Sequence, residues 1–506
     1  GIYDSITDFD FESLYPSLMI TYNIGINSFV MKTQDPYLGY DIAYNPKDLP
    51  DKINIIEDPL YDKKLVVYDT SELLKKIQED KLVCTVNGCF FYPHEKEFSV
   101  FAEVVEMLMS SRKAYKDQMF EAIEKKDKDA EKFFYTRQLV YKVLANTLYG
   151  VVANKSFRFF DLSLASAITL GGQEALKTSI IEADALMRSM ATNVEYIKPK
   201  TLTKEEMFAD PKKHPKMYKL PDRSHEFIIT GDTDSIFCKF ENFIEDRSVE
   251  NIQKWCEKIE NFLNNEKIAE VVNRYNVNPD YNRLKLKNEL IISRGLFLAK
   301  KRYAIHVINN EGKEVDKVNY MGVEIKRSDY PSKSKEFLTE LCEHLLTVKV
   351  KELKYSDIMR FINTNKRDFI DMIKGGDKKI ARPVSWGKEL KDYKVISQGV
   401  RSMQAWNDIM YDCHKTGVKG YMYWVRGIDI DKAPVDVLKR YQKWVASGKT
   451  LEVISIPDEE EKLPHYFIPN VPATLRFTFE DRYALFIDPL FKAKELEKVK
   501  SVIMTF

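Results

Sequence analysis

Gly231-Asp232-Thr233-Asp234-Ser235 is the stretch whose reading decides the rest of the chain. Apolar, β-favouring residues flank it, Phe227-Ile228-Ile229-Thr230 before and Ile236-Phe237-Cys238 after, so the five read as the tip of a hairpin. Side chains along a strand alternate between faces, so aspartates two apart can converge; a tight turn can break that alternation and aim them apart. Carboxylates crowded at a turn repel each other unless a cation sits between them. Hard oxygen donors suit Mg²⁺, which commonly takes one or two carboxylates plus substrate phosphates. Asp and Gly also build ordinary turns, and that is the competing reading of this stretch alone.

A second acidic strand end lies far upstream. Thr7-Asp8-Phe9-Asp10-Phe11-Glu12-Ser13-Leu14-Tyr15-Pro16-Ser17 starts as a strand and turns at a proline. Asp10 falls at the strand end, where the following loop frees backbone amides. Those amides and Ser13 suit phosphate oxygens, and Tyr15 places a rigid ring just past them. Taken alone, this too is a common polar turn.

The third stretch is Lys142-Val143-Leu144-Ala145-Asn146-Thr147-Leu148-Tyr149-Gly150. Lys142, Asn146 and Tyr149 share one face of a helix. Leu139, Val140, Val143, Leu144 and Leu148 are expected to hold its other faces in a core. A lone helical lysine is usually just solvated; a lysine, an amide and a phenol on one stripe suit an anionic substrate. Upstream, Ser99 to about Lys128 reads as a long helix carrying Arg112 and Lys116 one turn apart, and Lys132 to Asn146 as its antiparallel return. That hairpin brings Arg112, Lys116 and Lys142 within reach of one another, and three cations facing one concavity imply a polyanion such as a triphosphate. Three surface charges with ion-pair partners are the plain alternative.

In this order and wording, the three stretches resemble the polymerase motifs of the family B DNA polymerases, in particular the replicative enzymes of T-even-like bacteriophages. Ser111-Arg112-Lys113-Ala114-Tyr115-Lys116 is similar to the family's phosphate-binding fingers helix. Asn154-Lys155-Ser156-Phe157-Arg158-Phe159-Phe160-Asp161-Leu162 and Ala167-Ile168-Thr169 are similar to the segment after its Asn-and-Tyr helix, and Lys300-Lys301-Arg302-Tyr303-Ala304 to its primer-duplex motif. The likeness runs from about Ser5 to about Lys335.

The resemblance implies an α+β right-hand polymerase. Its antiparallel-sheet palm would occupy residues 1–97 and 156–330, its helical-hairpin fingers 98–155, and its mostly helical thumb with a C-terminal tail 331–506. It implies template-directed addition of dNTPs to a primer 3′ end by two-metal phosphoryl transfer, with two Mg²⁺ ions for which Mn²⁺ can substitute. Asp10 and Asp234 would bridge the ions, the Phe11 carbonyl would ligate one, and Asp232 would tune the site. Lys142 would neutralise the triphosphate and protonate pyrophosphate. Arg112 and Lys116, with amides around Ser13 and Leu14, would hold the outer phosphates. Tyr15 would lie under the deoxyribose and leave no room for a 2′-hydroxyl. Asn146, Tyr149 and Gly150 would line the nascent pair and its DNA, and Lys301, Arg302 and Tyr303 the primer duplex. Glu289 is a further acid near the metals, although its spacing to Lys300 departs from the phage pattern. Thr230 stands where many members carry Tyr, so no primer-end contact is carried over there.

Family members usually have N-terminal and 3′–5′ exonuclease domains before the first motif, whereas Asp10 lies close to Gly1. The expectation is a chain that does not proofread alone, the polymerase half of a split or truncated phage-type replicase whose exonuclease sits on a partner chain. The apolar–aromatic tail Val499–Phe506 is expected either to dock on a sliding clamp, as in the phage relatives, or to pack as a last helix on the thumb. Another palm-fold polymerase, such as a primase-polymerase or reverse transcriptase, is one alternative; Tyr15 argues for DNA synthesis instead. A catalytically silent DNA-binding subunit is another, and Asp10, Asp234 and Lys142 together argue against it.

Composition sets few further bounds. The 506 residues imply two to four domains. An apolar fraction of 44% and a charged fraction of 31% are those of an ordinary globular protein. Lys+Arg 78 against Asp+Glu 77 leaves +1, so nucleic-acid binding has to come from local distribution. From Arg283 to Arg302 seven basic residues face one acid, Glu289, interleaved with Leu284, Leu286, Leu290 and Phe297. The six cysteines form no CxxC pair, which argues against a structural zinc or iron–sulfur site and fits a reducing cytoplasm, that of the host cell for a viral protein. No apolar run approaches membrane-spanning length, so no membrane partner is expected. Residues 31–60, rich in Pro, Asp, Asn and Tyr, read as an irregular excursion, and residues 195–224 as an exposed insertion.

Overall fold

The computed structural model describes residues 1–208, 227–241, 243–347, 355–388, 392–411, 414 and 417–487. Residues 209–224 of the expected insertion and the whole Val499–Phe506 tail lie outside the described residues. Mixed helices and antiparallel sheets give the α+β class. The chain forms two compact units, residues 5–291 with 309–314, and residues 1–4, 292–308 and 315–506.

The first unit opens with β1 (Ile2–Phe11), whose residues from Ser5 onward belong to it, and α1 (Leu14–Thr21). The stretch read as irregular instead supplies two strands of a five-stranded antiparallel sheet. Its strands are β2 (Phe29–Thr33), β3 (Lys52–Glu57), β4 (Lys64–Asp69), β5 (Val83–Cys84) and β6 (Cys89–Phe91), in the order β4-β3-β2-β6-β5. The sequence hides β2 and β3 because α2 (Leu38–Tyr44) and a proline turn separate them, and because β3 buries only Ile53 and Ile55 in a clear alternation. Between β4 and β5 runs α3 (Thr70–Glu79). The β5–β6 hairpin turns at Asn87-Gly88, with Gly88 at φ 70°, a conformation glycine takes without steric cost.

Two long helices follow, α4 (Val100–Glu124) and α5 (Lys128–Val152). Ser99 caps α4, its hydroxyl accepting from the Ala102 amide, and Asp127 caps α5 through the Ala130 amide. The expected core around α5 is not there: Leu139, Val140, Val143 and Leu144 are 40–55% exposed. The buried residues of α5 are Gln138, Ala145 and Val152, seven apart, a narrow seam of the kind that serves one antiparallel partner. Next come α6 (Leu162–Thr192), capped by Asp161, and α7 (Lys204–Phe208). The hairpin β7 (Ile228–Asp232) and β8 (Ser235–Lys239) follows. Then α8 (Val249–Phe262) passes through one π turn into α9 (Ala269–Arg274), and β9 (Leu286–Ala299) begins. In this unit β9, β1, β8 and β7 lie side by side in that order.

The second unit takes β9 from Ile292 onward, beside β10 (Arg302–Asn310) and then β11 (Lys313–Met321). Helices α10 (Ser332–Thr347) and α11 (Tyr355–Lys374) enclose a core of Phe337, Leu341, Leu345, Ile362 and Phe369. The region expected to be mostly helical also carries an antiparallel sheet. It is built from β12 (Arg382–Ser385), β13 (Lys419–Ile428), β14 (Val453–Pro457) and β15 (Phe467–Pro469), with α12 (Gln398–Met410) and α13 (Val435–Ala446) beside it. Helices α14 (Val471–Leu475) and α15 (Asp481–Ile487) close the described chain.

Candidate active site

Backbone pairing joins the two acidic stretches. β1 and β8 run antiparallel with Asp8 opposite Phe237 and Asp10 opposite Ser235. One residue further on, the Phe11 amide donates to the Asp234 carbonyl at 2.8 Å. Asp232 pairs with Ser235 across the hairpin, so Thr233 and Asp234 form its two-residue turn, and Thr233 sits at φ 55°. That is left-handed backbone, which a β-branched residue seldom adopts. The two aspartates of the turn are thereby separated. Asp234 lines the same cavity as Asp10 and Phe11, while Asp232 lies outside that lining and accepts from its neighbour's Thr233 hydroxyl at 3.2 Å.

The cavity has a volume of about 460 Å³ and lies wholly within the first unit. Asp10, Asp234 and Glu289 stand on its strand side; Arg112, Lys116, Lys142 and Asn146 come from α4 and α5. Burial pushes the Asp10 carboxyl up to about 8, and repulsion from Asp234 and Glu289 adds to it, against the pull of Lys142 and Arg112. Burial and the neighbouring Glu311 likewise raise Glu289.

Cations and loop are already engaged with each other. Arg112 donates to the Ser13 hydroxyl at 2.7 Å, while its Nε is buried without a hydrogen bond. Lys116 pairs with Glu311 at 2.7 Å, and Lys287 with Glu12 at 3.2 Å. Ser13 precedes α1 at φ 55°, so the first turn of α1, with Leu14 and Tyr15, opens on the cavity. The Tyr15 ring packs on Tyr149, centroids 4.6 Å apart and tilted by 36°. At Gly150 a Cβ would meet nothing within 4 Å, so that point of α5 is open. Lys301, Arg302 and Tyr303 belong to the second unit. There Lys301 turns β9 into β10 at φ 61°, Arg302 pairs with Glu324 at 2.6 Å, and the Tyr303 ring lies 5.4 Å from that of Phe297.

Among the described residues no three His, Cys, Asp or Glu side chains make a metal cage of their own. Two carboxylates with a backbone carbonyl are instead the sparse oxygen set that suits Mg²⁺ when substrate phosphates complete its shell. The crowding that raises Asp10 is the electrostatic condition a divalent cation relieves, so the residues fit such an ion.

The family model for DNA polymerase family B matches residues 1–393. The chain belongs to this family. A DNA polymerase of Phaeocystis pouchetii virus is 29% identical to this family B chain over 250 residues, covering 47% of the chain and 21% of the relative. The DNA-directed DNA polymerase of Enterobacteria phage T4 is 24% identical, covering 67% and 39%. The DNA polymerase delta catalytic subunit of Candida albicans is 22% identical, covering 73% and 27%. The chain thus spans between a fifth and two fifths of the length of these relatives.

Several residues of this family B chain, some lining the cavity and one, Asp8, buried outside its lining, escaped the sequence reading. Asp8 points the same way along β1 as Asp10; burial, then Asp10, Glu289 and Asp234, raise its carboxyl well above the usual range, and its Oδ1 has no hydrogen bond. The signal was the i, i+2 spacing of Asp8 and Asp10. Glu260, Asn288 and Glu311 line the cavity, and nothing in their local sequence marks them. Among the described residues no helix is long and apolar enough to cross a membrane.

Proposed function

We propose that this chain catalyses template-directed DNA synthesis, adding dNTPs to a primer 3′ end. The observation that carries the reading is that the carboxylates of Asp10, Asp234 and Glu289 and the cations of Arg112, Lys116 and Lys142 line one cavity. Phosphoryl transfer asks a protein mainly for alignment and charge neutralisation, and this arrangement provides both.

In this reading β1, β7, β8 and the start of β9 belong to the palm, α4 and α5 are the fingers, and the part beyond residue 330 is the thumb. Asp10, Asp234 and the Phe11 carbonyl hold two Mg²⁺ ions, with Mn²⁺ able to replace them. When bound, such ions supply Lewis-acid stabilisation of the attacking and leaving oxygens. Asp232 keeps the hairpin turn in shape rather than bridging. Arg112 and Lys116 take the outer phosphates of the dNTP, the latter by exchanging Glu311 for a phosphate oxygen. Amides at Ser13 and Leu14 open the first turn of α1 to the same phosphates, as helix starts do for anions. Lys142 neutralises the triphosphate and donates a proton to departing pyrophosphate. Tyr15 closes the space a 2′-hydroxyl would need, and Asn146, Tyr149 and Gly150 border the nascent base pair. Lys301, Arg302 and Tyr303 contact the primer–template duplex.

Primer extension by the purified chain tests this. The wild-type chain should extend a primed DNA template with dNTPs and Mg²⁺, and Asp234→Asn should abolish extension while duplex binding persists. Unchanged extension by Asp234→Asn would remove the metal-site assignment.

A further inference from the structure

Two adjacent glycines, Gly171 and Gly172, sit in the middle of α6, both buried. A mid-helix glycine costs about 1 kcal/mol relative to alanine, so a pair in a long helix calls for a packing reason. The structure gives each a different one. A Cβ on Gly172 would lie 3.3 Å from Tyr15 Cε1, 3.3 Å from Leu14 Cδ2 and 3.4 Å from Leu18 Cδ1. A Cβ on Gly171 would lie 3.2 Å from Leu18 Cδ2 and 3.9 Å from Tyr22 Cε2, and would not reach Tyr15. Contacts of 3.2–3.3 Å are too tight for carbon atoms at rest, so the neighbour has to yield by a few tenths of an ångström.

At Gly172 the neighbour that yields includes the ring that borders the cavity. Tyr15 is half-buried, its Cε1 edge against α6 and its ring on Tyr149. Its neighbour in chain, Leu14, is buried and fixed by the first turn of α1. A methyl group at residue 172 therefore presses on this ring and on the buried Leu14 and Leu18 methyls together, and the half-buried ring has the more room to move.

We infer that Gly172 is a positioning residue for sugar selection: its missing side chain seats the Tyr15 ring at the depth that separates deoxyribonucleotides from ribonucleotides. The inference rests on the reading of Tyr15 given under Proposed function. Gly172 touches no substrate and acts only through the ring.

The test is the ratio of kcat/KM for dNTP to that for rNTP in single-nucleotide primer extension, measured on the full chain. Misplacement of a positioning group by 1 Å costs about 100-fold, so a few tenths of an ångström predict a shift of about threefold or more. Gly172→Ala should show that shift, with its melting temperature close to that of Gly171→Ala. Gly171→Ala, which perturbs the same helix contact one residue away, should leave the ratio within about twofold. On a Tyr15→Val background, Gly172→Ala should add nothing. A ratio unmoved by Gly172→Ala, or moved equally by Gly171→Ala, overturns the inference while the sugar reading stands on Tyr15→Val alone. If Tyr15→Val itself leaves the ratio unchanged, the sugar reading fails and the inference falls with it.

Discussion

The Phe11 amide donates to the Asp234 carbonyl at 2.8 Å. This bond carries the β1–β8 pairing one residue past Asp10 and holds the end of β1 against the β7–β8 turn, which together set where Asp10 stands relative to Asp234. The turn holds its side of the bargain through Thr233 at φ 55°. Left-handed backbone costs a side-chain-bearing residue about 1–2 kcal/mol, and strain kept at a site is usually tied to what the site does. Thr233→Gly should therefore melt at the same or a higher temperature yet extend primers about tenfold more slowly, as the turn gains freedom. A lower melting temperature with full activity would show that the Thr233 side chain serves stability alone.

Asp10 links the site to pH. Burial and its acidic neighbours raise its carboxyl to about 8. A carboxyl raised on folding stabilises the fold fully below its ordinary range near 4, and that contribution is lost as pH rises through about 8. Without divalent ions, the melting temperature should fall between about pH 4 and pH 8 and level off above that, and Asp10→Asn should flatten that slope while abolishing extension. Added Mg²⁺ should restore the wild-type chain at high pH, with affinity rising up to about pH 8 because the ion displaces a proton. Parallel slopes for wild type and Asp10→Asn would place the titration elsewhere.

Lys116 is held by Glu311 at 2.7 Å, with both side chains about one third exposed. Pairs of this exposure are worth about 0–1 kcal/mol. If an incoming triphosphate has to displace Glu311, Glu311→Gln should lower KM for dNTP by up to about fivefold with kcat little changed, and the gain should shrink at high salt. A raised KM in steady-state extension would mean that Glu311 positions Lys116 instead of competing for it.

Much of this was legible because local chemistry and long-range pairing agree. The Asp-rich turn and the long helix beginning at Ser99 each carry their own local signature, and the family wording tied Asp10 to Asp234 across more than 200 residues. The sequence left open whether Asp232 and Asp234 converge; a two-residue turn separates them, and only its register could say so. Leu139, Val140, Val143 and Leu144 misled because apolar residues usually mean burial, whereas α5 packs along the thin stripe of Gln138, Ala145 and Val152. Strands β2 and β3 were missed because they are short and α2 interrupts them. Glu260, Asn288 and Glu311 reach the cavity through tertiary packing alone, which no local pattern records.

Iron-directed backbone cleavage tests the central claim most directly, since Fe²⁺ can occupy a Mg²⁺ site and cuts the chain beside its ligands without any polymerisation. With Fe²⁺, ascorbate and peroxide, the wild-type chain should be cut both near Asp10 and within residues 231–235, and Asp10→Asn or Asp234→Asn should each suppress both cuts together. Cuts at only one of the two stretches, or one cut surviving loss of the other's aspartate, would contradict a shared ion site.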